Sequence, residues 1–324
     1  MKNSLFLLGA AAVVALSSCT KNEVLEVAES RAIGFNGTGI DNITRNDITS
    51  TDFKQFYVYG SHNANDLFQG TEVNKKGEEW QYNPKQYWAI GNWKFDAYAP
   101  KADEAITPEW SYESGLTLTV NSDATHQNDL VYAKGIATVT DENEDKTLEG
   151  TDNVSLSFTH LLSKLSFKFT KDPKSLGAMT VTMSEFKVAG ITTAGKWIAG
   201  IQQTVAEAAK GNYTDNAGII DQTDGIQTAW FYVIPQEVKA FDITAKVKVV
   251  NGAGDTIKDG TISATVPVEG AITTWSAQNQ YLYSAQLNIN QITDPKNPNP
   301  QPIEFTGSAA DWNQPIQNGN TTIN

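Results

Sequence analysis

The side chains with the means to do chemistry are few. The chain of 324 residues holds three histidines and one cysteine. His62, His126 and His160 lie far apart, and no two of them share the helix or hairpin spacing that lets a pair of imidazoles hold one metal. The thiol, Cys19, has no histidine near it in sequence. No nucleophile elbow or phosphate loop occurs. Asp141-Glu142-Asn143-Glu144-Asp145 opens like a calcium loop, and Thr147, Glu149 and Asp152 follow at usable positions. Lys146, however, stands where that loop needs glycine for its sharp turn, and no helices flank it. A solvated acidic hairpin loop is the reading favoured. Asp and Glu together number 37, so some pair would lie close in any fold and no glycosidase pair is assigned. The expectation is a chain with no catalytic residue, no metal and no cofactor, and therefore not an enzyme.

Cys19 matters for where it stands. Lys2 gives a positive start, and Leu5 to Leu16 is an uncharged apolar run, short for a membrane span. Small residues, Ser17 and Ser18, precede the cysteine. This junction resembles the lipobox of bacterial lipoproteins, in which the thiol takes a diacylglyceryl group; an ordinary signal peptide with a chance cysteine is the alternative. Acyl chains such as palmitate then anchor the protein in the outer membrane without a spanning helix. The formal net charge of −13 argues against nucleic acid as a partner.

The rest of the chain reads as strands. Ile33 and Phe35 alternate onto one face, as do Leu116, Leu118 and Val120. Phe53 to Tyr59, Leu130 to Ala133, Val154 to Phe158 and Leu162 to Phe169 continue the pattern. So do Met179 to Val188, Trp230 to Ile234, Ile243 to Val250, Ile262 to Val266 and Tyr281 to Ile289. Short strands with turn signals between them predict β-sandwiches. Ile201 to Lys210 reads as one short helix closed by Gly211. Asp172-Pro173 suggests a domain seam, since proline interrupts a strand. Pro295, Pro298, Pro300 and Pro302 predict an extended, semi-rigid spacer.

Arginine placement is the sharpest signal. Only Arg31 and Arg45 occur, both near the Ile33/Phe35 strand, and every other basic side chain is lysine. An arginine-specific protease cutting after Arg45 would remove the anchor and the first strand together; a cut at Arg31 would leave that strand attached. Loss of a strand leaves unpaired backbone and open apolar pockets. The chain offers a replacement. Ile33-Gly34-Phe35-Asn36-Gly37 and Ile303-Glu304-Phe305-Thr306-Gly307 place Ile, Phe and Gly in the same alternating register, so both would present the same knobs. This suits strand addition between subunits. The eight tryptophans allow a different reading, a monomeric lipid-anchored protein that binds glycans through exposed rings.

Several segments together resemble the fimbrillin family, the pilins of Bacteroides-type (type V) pili. They are the Cys19 junction, Asp129-Leu130-Val131-Tyr132-Ala133, Val154 through Leu165 around His160, Tyr232-Val233-Ile234-Pro235-Gln236, and the Trp275, Asn279, Tyr281, Tyr283 cluster. The resemblance implies an all-β fold of two transthyretin-like β-sandwich domains in tandem. It implies a signal peptide over 1–18, a tether and first strand over 19–45, sandwiches over 46–172 and 173–292, and a spacer with donor strand over 293–324. It further implies lipidation at Cys19, cleavage after Arg45, and replacement of the strand bearing Ile33, Phe35 and Gly37 by the Ile303, Phe305, Gly307 segment of another pilin subunit. His160 is then a structural residue of a strand. The product would be a cell-surface fimbria serving adhesion, with the bound surface unspecified.

Overall fold

The computed structural model describes residues 31–38, 53–142, 147–205, 208–221, 223–266, 272–312 and 314. Cys19 and Arg45 lie outside them, as do 143–146 of the acidic loop.

In chain order the strands are β1 (Phe35–Thr38), β2 (Gln55–His62), β3 (Asn65–Lys76), β4 (Glu79–Gln81), β5 (Gly91–Ala99), β6 (Ile106–Ser111), β7 (Gly115–Asn121), β8 (Val131–Glu142) and β9 (Thr147–Glu149). Then come β10 (Val154–Ser157), β11 (Thr159–His160), β12 (Ser163–Lys171), β13 (Thr180–Thr192), β14 (Ala194–Ile198), β15 (Ile201–Gln203), β16 (Lys210–Asp215), β17 (Gly218–Ile220), β18 (Ile226–Gln227) and β19 (Phe231–Val233). The last are β20 (Gln236–Glu237), β21 (Phe241–Val250), β22 (Thr256–Val266), β23 (Thr274–Trp275), β24 (Asn279–Leu287) and β25 (Thr306–Asp311). The only helix among the described residues is a single 3₁₀ turn at Ile289–Gln291. The fold is thus all-β, as the alternating pattern predicts. β21 shows the cause most clearly: Phe241, Ile243, Ala245, Val247 and Val249 are buried while the residues between them face solvent.

Three cores organise the molecule. In the first half, a sheet in the order β11-β8-β5-β2-β3-β4 packs against the parallel pair β1-β10, enclosing Phe56, Phe68, Trp93, Phe95 and Phe158. In the second half, the sheets β18-β12-β24-β25 and β16-β13-β21-β22 face each other across Phe167, Phe186, Val247 and Tyr283. This is a two-sheet sandwich. The third core joins the halves: Tyr57, Tyr98 and Tyr132 meet Leu116 and Leu118 of β7, Trp197 of β14, and Tyr232, Ile234 and Trp312.

Two expectations need correction. None of the described residues between Ile201 and Lys210 is helical. Ile201–Gln203 pairs antiparallel with Lys196–Ile198, and Lys210 begins β16. Cross-strand pairing at Ile201–Gln203 overrides the local helix propensity there. The seam is also displaced from Asp172-Pro173. β12 lies before that point yet pairs in parallel with β24 from Lys164↔Gln280 to Lys171↔Leu287, so sheet membership changes between His160 and Ser163. Pro173 falls in the turn after β12.

Candidate assembly site

β1 fills a groove. Ile33 and Phe35 are 0% and 2% exposed. The Phe35 ring meets Phe68 at 5.6 Å, Tyr82 at 5.5 Å, Phe95 at 5.8 Å and Phe56 at 6.2 Å, each edge to face. Edge-to-face aromatic contacts add to the apolar burial, which for one such ring stabilises by roughly 1.5–3 kcal/mol.

The backbone of this segment is paired on both sides. One side carries the parallel register Phe35↔Val154 to Thr38↔Ser157, with Val154 N donating to Gly34 O at 2.9 Å and Phe158 N to Thr38 O at 2.8 Å. The other meets residues 86–88: Ile33 N donates to Gln86 O at 2.8 Å, and Trp88 N to Arg31 O at 2.9 Å. The Tyr82 hydroxyl closes the entry by donating to Ile33 O at 2.8 Å, and burial pushes that phenol up to about 12. Removing the segment would therefore strand backbone groups on two flanks and uncover Phe56, Phe68, Tyr82 and Phe95. Unpaired edges and open apolar pockets of this kind seek a replacement strand.

The C-terminal segment is docked on its own half. β25 pairs antiparallel with β24 from Ser284↔Thr306 to Asn279↔Asp311. Ile303 is buried, and Phe305 is half-buried with its ring 6.0 Å from Phe169. Regular pairing starts only at Thr306, so of the three expected donor residues Gly307 lies on a strand while Ile303 and Phe305 lie on the approach to it.

The proline-rich stretch is not a free spacer. Lys258 Nζ binds Asp294 Oδ2 at 2.9 Å, and this pairing holds the Asp294 carboxyl below its usual range. Asn297 Nδ2 donates to Asn290 O and Ile292 O at 3.0 and 3.1 Å, and Gln291 Nε2 to Pro302 O at 3.0 Å. Proline composition alone does not reveal such side-chain anchors.

One residue of the tail escaped the sequence reading. Trp312 is 2% exposed, stacked 4.4 Å from His160 and 5.9 Å from Tyr232, with Lys164 Nζ 4.4 Å from its ring. Its signal was a lone aromatic in a polar tail. His160, in turn, is buried with Nδ1 2.9 Å from Asp129 Oδ2. It is a strand residue, as expected.

The other candidate chemistry disperses. His62 stacks on Trp93 at 4.6 Å with Nε2 2.8 Å from Ile90 O, and His126 Nδ1 lies 3.0 Å from Asp123 Oδ1. Among the described residues no group of three or more His, Cys, Asp or Glu could hold a metal. Asp141↔Leu148 and Glu142↔Thr147 pair as a hairpin, which suits the acidic-loop reading over the calcium loop. Trp88, Trp93, Trp197, Trp275 and Trp312 are buried in the cores, Trp80 and Trp110 are half-buried against them, and Trp230 is half-buried with Lys164 Nζ 5.3 Å from its ring. No helix of the described residues is long and apolar enough to cross a membrane.

Comparison with known proteins bears on the same chain. A search among curated proteins found no match. Solved structures similar in fold include a fimbrial protein from Bacteroides vulgatus, with a TM-score of 0.61, 14% identity, and coverage of 87% of this chain and 99% of that one. A candidate cell adhesion protein from Bacteroides uniformis has a TM-score of 0.51 at 15% identity, covering 87% and 99%. Another from Bacteroides ovatus has 0.51 at 14% identity, covering 87% and 96%. At such identities the likeness is one of fold. The sequence profile of fimbrillin-like proteins matches residues 22–312, almost the whole chain. The chain belongs to the fimbrillin-like family.

Proposed function

We propose that the chain is a structural pilin subunit of a surface fimbria that serves cell adhesion. It is exported as a lipoprotein acylated at Cys19 and held at the outer membrane until an arginine-specific protease cuts after Arg45. The cut frees residues up to Arg45, and with them Ile33, Phe35 and Gly37. The groove is then refilled by Ile303, Phe305 and Gly307 of another pilin subunit.

The observation that carries this reading is the seat of Phe35. A strand of four residues places one ring among four aromatic neighbours, yet it pairs with only one other strand. Such a filler is held by knobs, and any strand with the same knobs can hold the place. Family membership and the fimbrial and adhesion relatives support the same assignment.

Phe305→Asp tests it. The residue is half-buried at the rim of the second core, so the monomer should still fold, whereas a carboxylate in the Phe35 pocket would be buried without a partner. Polymer growth should stop. Normal polymers from that variant would contradict the proposal.

A further inference from the structure

A replacement strand has to pass one side chain that the resident strand accommodates with a glycine. At the Gly37 position the repeat fits closely: a β-carbon there would stand 3.2 Å from Trp80, 3.3 Å from Phe53 and 3.4 Å from Phe56. The tail offers glycine there too, Gly307. The Gly34 position differs. A β-carbon on Gly34 would lie 2.6 Å from Asn153 Cγ, and nearer still to its Oδ1, which is closer than real β-carbons come. Asn153 stands just ahead of β10, and its Nδ2 donates to Asn36 Oδ1 at 3.3 Å. Its carboxamide therefore lies against the resident backbone where that backbone has no side chain. The tail carries Glu304 at this position and Thr306 in place of Asn36.

We propose that Asn153 is a specificity-determining residue of the groove, favouring an incoming strand with glycine at the Gly34 position over the chain's own tail. The partner it fits is a subunit whose donor strand reads Ile-Gly-Phe-Asn-Gly. This rests on strand replacement in the Ile33/Ile303 register. Asn153 is exposed, so its side chain can turn away, at the loss of the bond to Asn36. One exposed hydrogen bond contributes about 1 kcal/mol, which corresponds to roughly fivefold in affinity.

The test uses the unlipidated full chain, nicked after Arg45 so that the resident segment stays until displaced. Labelled peptides of residues 31–42, all of which keep Asn36, are added carrying Gly34, Gly34→Ala or Gly34→Glu, with a 300–312 peptide beside them. The glycine peptide should bind roughly fivefold tighter than the other two, because the obstacle is the β-carbon and not the charge. Asn153→Ala should lower the Gly34 peptide to the level of the other two and leave those unchanged. Equal binding of all three to the unaltered chain, or a preference that survives Asn153→Ala, would overturn the assignment and leave strand replacement standing. Failure of every peptide, the 300–312 peptide included, would overturn strand replacement and this assignment with it.

Discussion

β1 and β25 are both short strands near an end of the described chain, and they differ in where their buried anchors lie. β1 has four residues, all paired with β10, and adds deep side-chain anchors: Ile33 just before it and Phe35 within it are wholly buried. β25 has six residues, none of them buried, and is fixed by its backbone and by anchors at either end, Ile303 before it and Trp312 after it. The first strand cannot leave without opening the aromatic core. The last can detach if Trp312 comes away from His160 and Tyr232, since β25 lies at the edge of its sheet. An assembly that discards one strand and donates another is served by this asymmetry: the site vacated is a deep one that needs filling, and the strand donated is an edge with no buried residue of its own, released once Ile303 and Trp312 leave their cores.

The comparison can be broken at several points. Phe35→Ala should have the largest effect on the unprocessed monomer, about 3–5 kcal/mol in denaturant unfolding, as for a large aromatic lost from a core. The same change should leave assembled polymer unaffected, because that strand is no longer present. Equal destabilisation of polymer and monomer would mean that β1 stays in place.

Trp312→Ala should come next, at about 3 kcal/mol, and it should act locally. Faster hydrogen exchange is expected at the β24 amides that face β25, with the groove around β1 unchanged. Uniform loss of protection across both halves would show that the tail is not an independent element.

Tyr82→Phe removes one hydroxyl bond to Ile33 O and should cost about 1 kcal/mol near neutral pH. Its pH signature is more specific. An unfolded tyrosine ionises near pH 10, while the folded Tyr82 keeps its proton to about 12 because burial disfavours the phenolate. The unfolded state therefore binds fewer protons above pH 10, and stability present below that pH is lost as pH rises to about 12. Melting curves against pH should fall less steeply for Tyr82→Phe than for the unaltered chain, and parallel curves would count against the buried phenol at the groove entry. Glu185→Gln, by contrast, breaks an exposed pair with Lys246 at 2.6 Å and should shift stability by less than about 0.5 kcal/mol.

Much of this architecture was legible in the residues. The period-two pattern of Phe241 to Val249 and the Ile33/Phe35 alternation follow from burial on one face, so composition and spacing suffice to find them. The repeat of Ile, Phe and Gly between the two ends was visible for the same reason. What failed did so where distant partners decide. The stretch after Ile201 has helix-forming residues, but a turn with Ala199 and Gly200 at positive φ folds Ile201–Gln203 back onto β14. The β12-β24 pairing joins segments more than a hundred residues apart, and nothing local at Pro173 reveals it. Trp312 and Asn153 stood unremarked because their roles depend on what they meet, His160 and Lys164 for one and the bare backbone of Gly34 for the other.

The central claim is that the subunit in the fimbria has lost its first strand. The direct measurement is the N-terminal residue of this chain in polymer sheared from cells, by sequencing or mass spectrometry. The account predicts a start at Asn46. A start at acylated Cys19 would contradict it, because Ile33 and Phe35 would still fill the groove and no donor could enter.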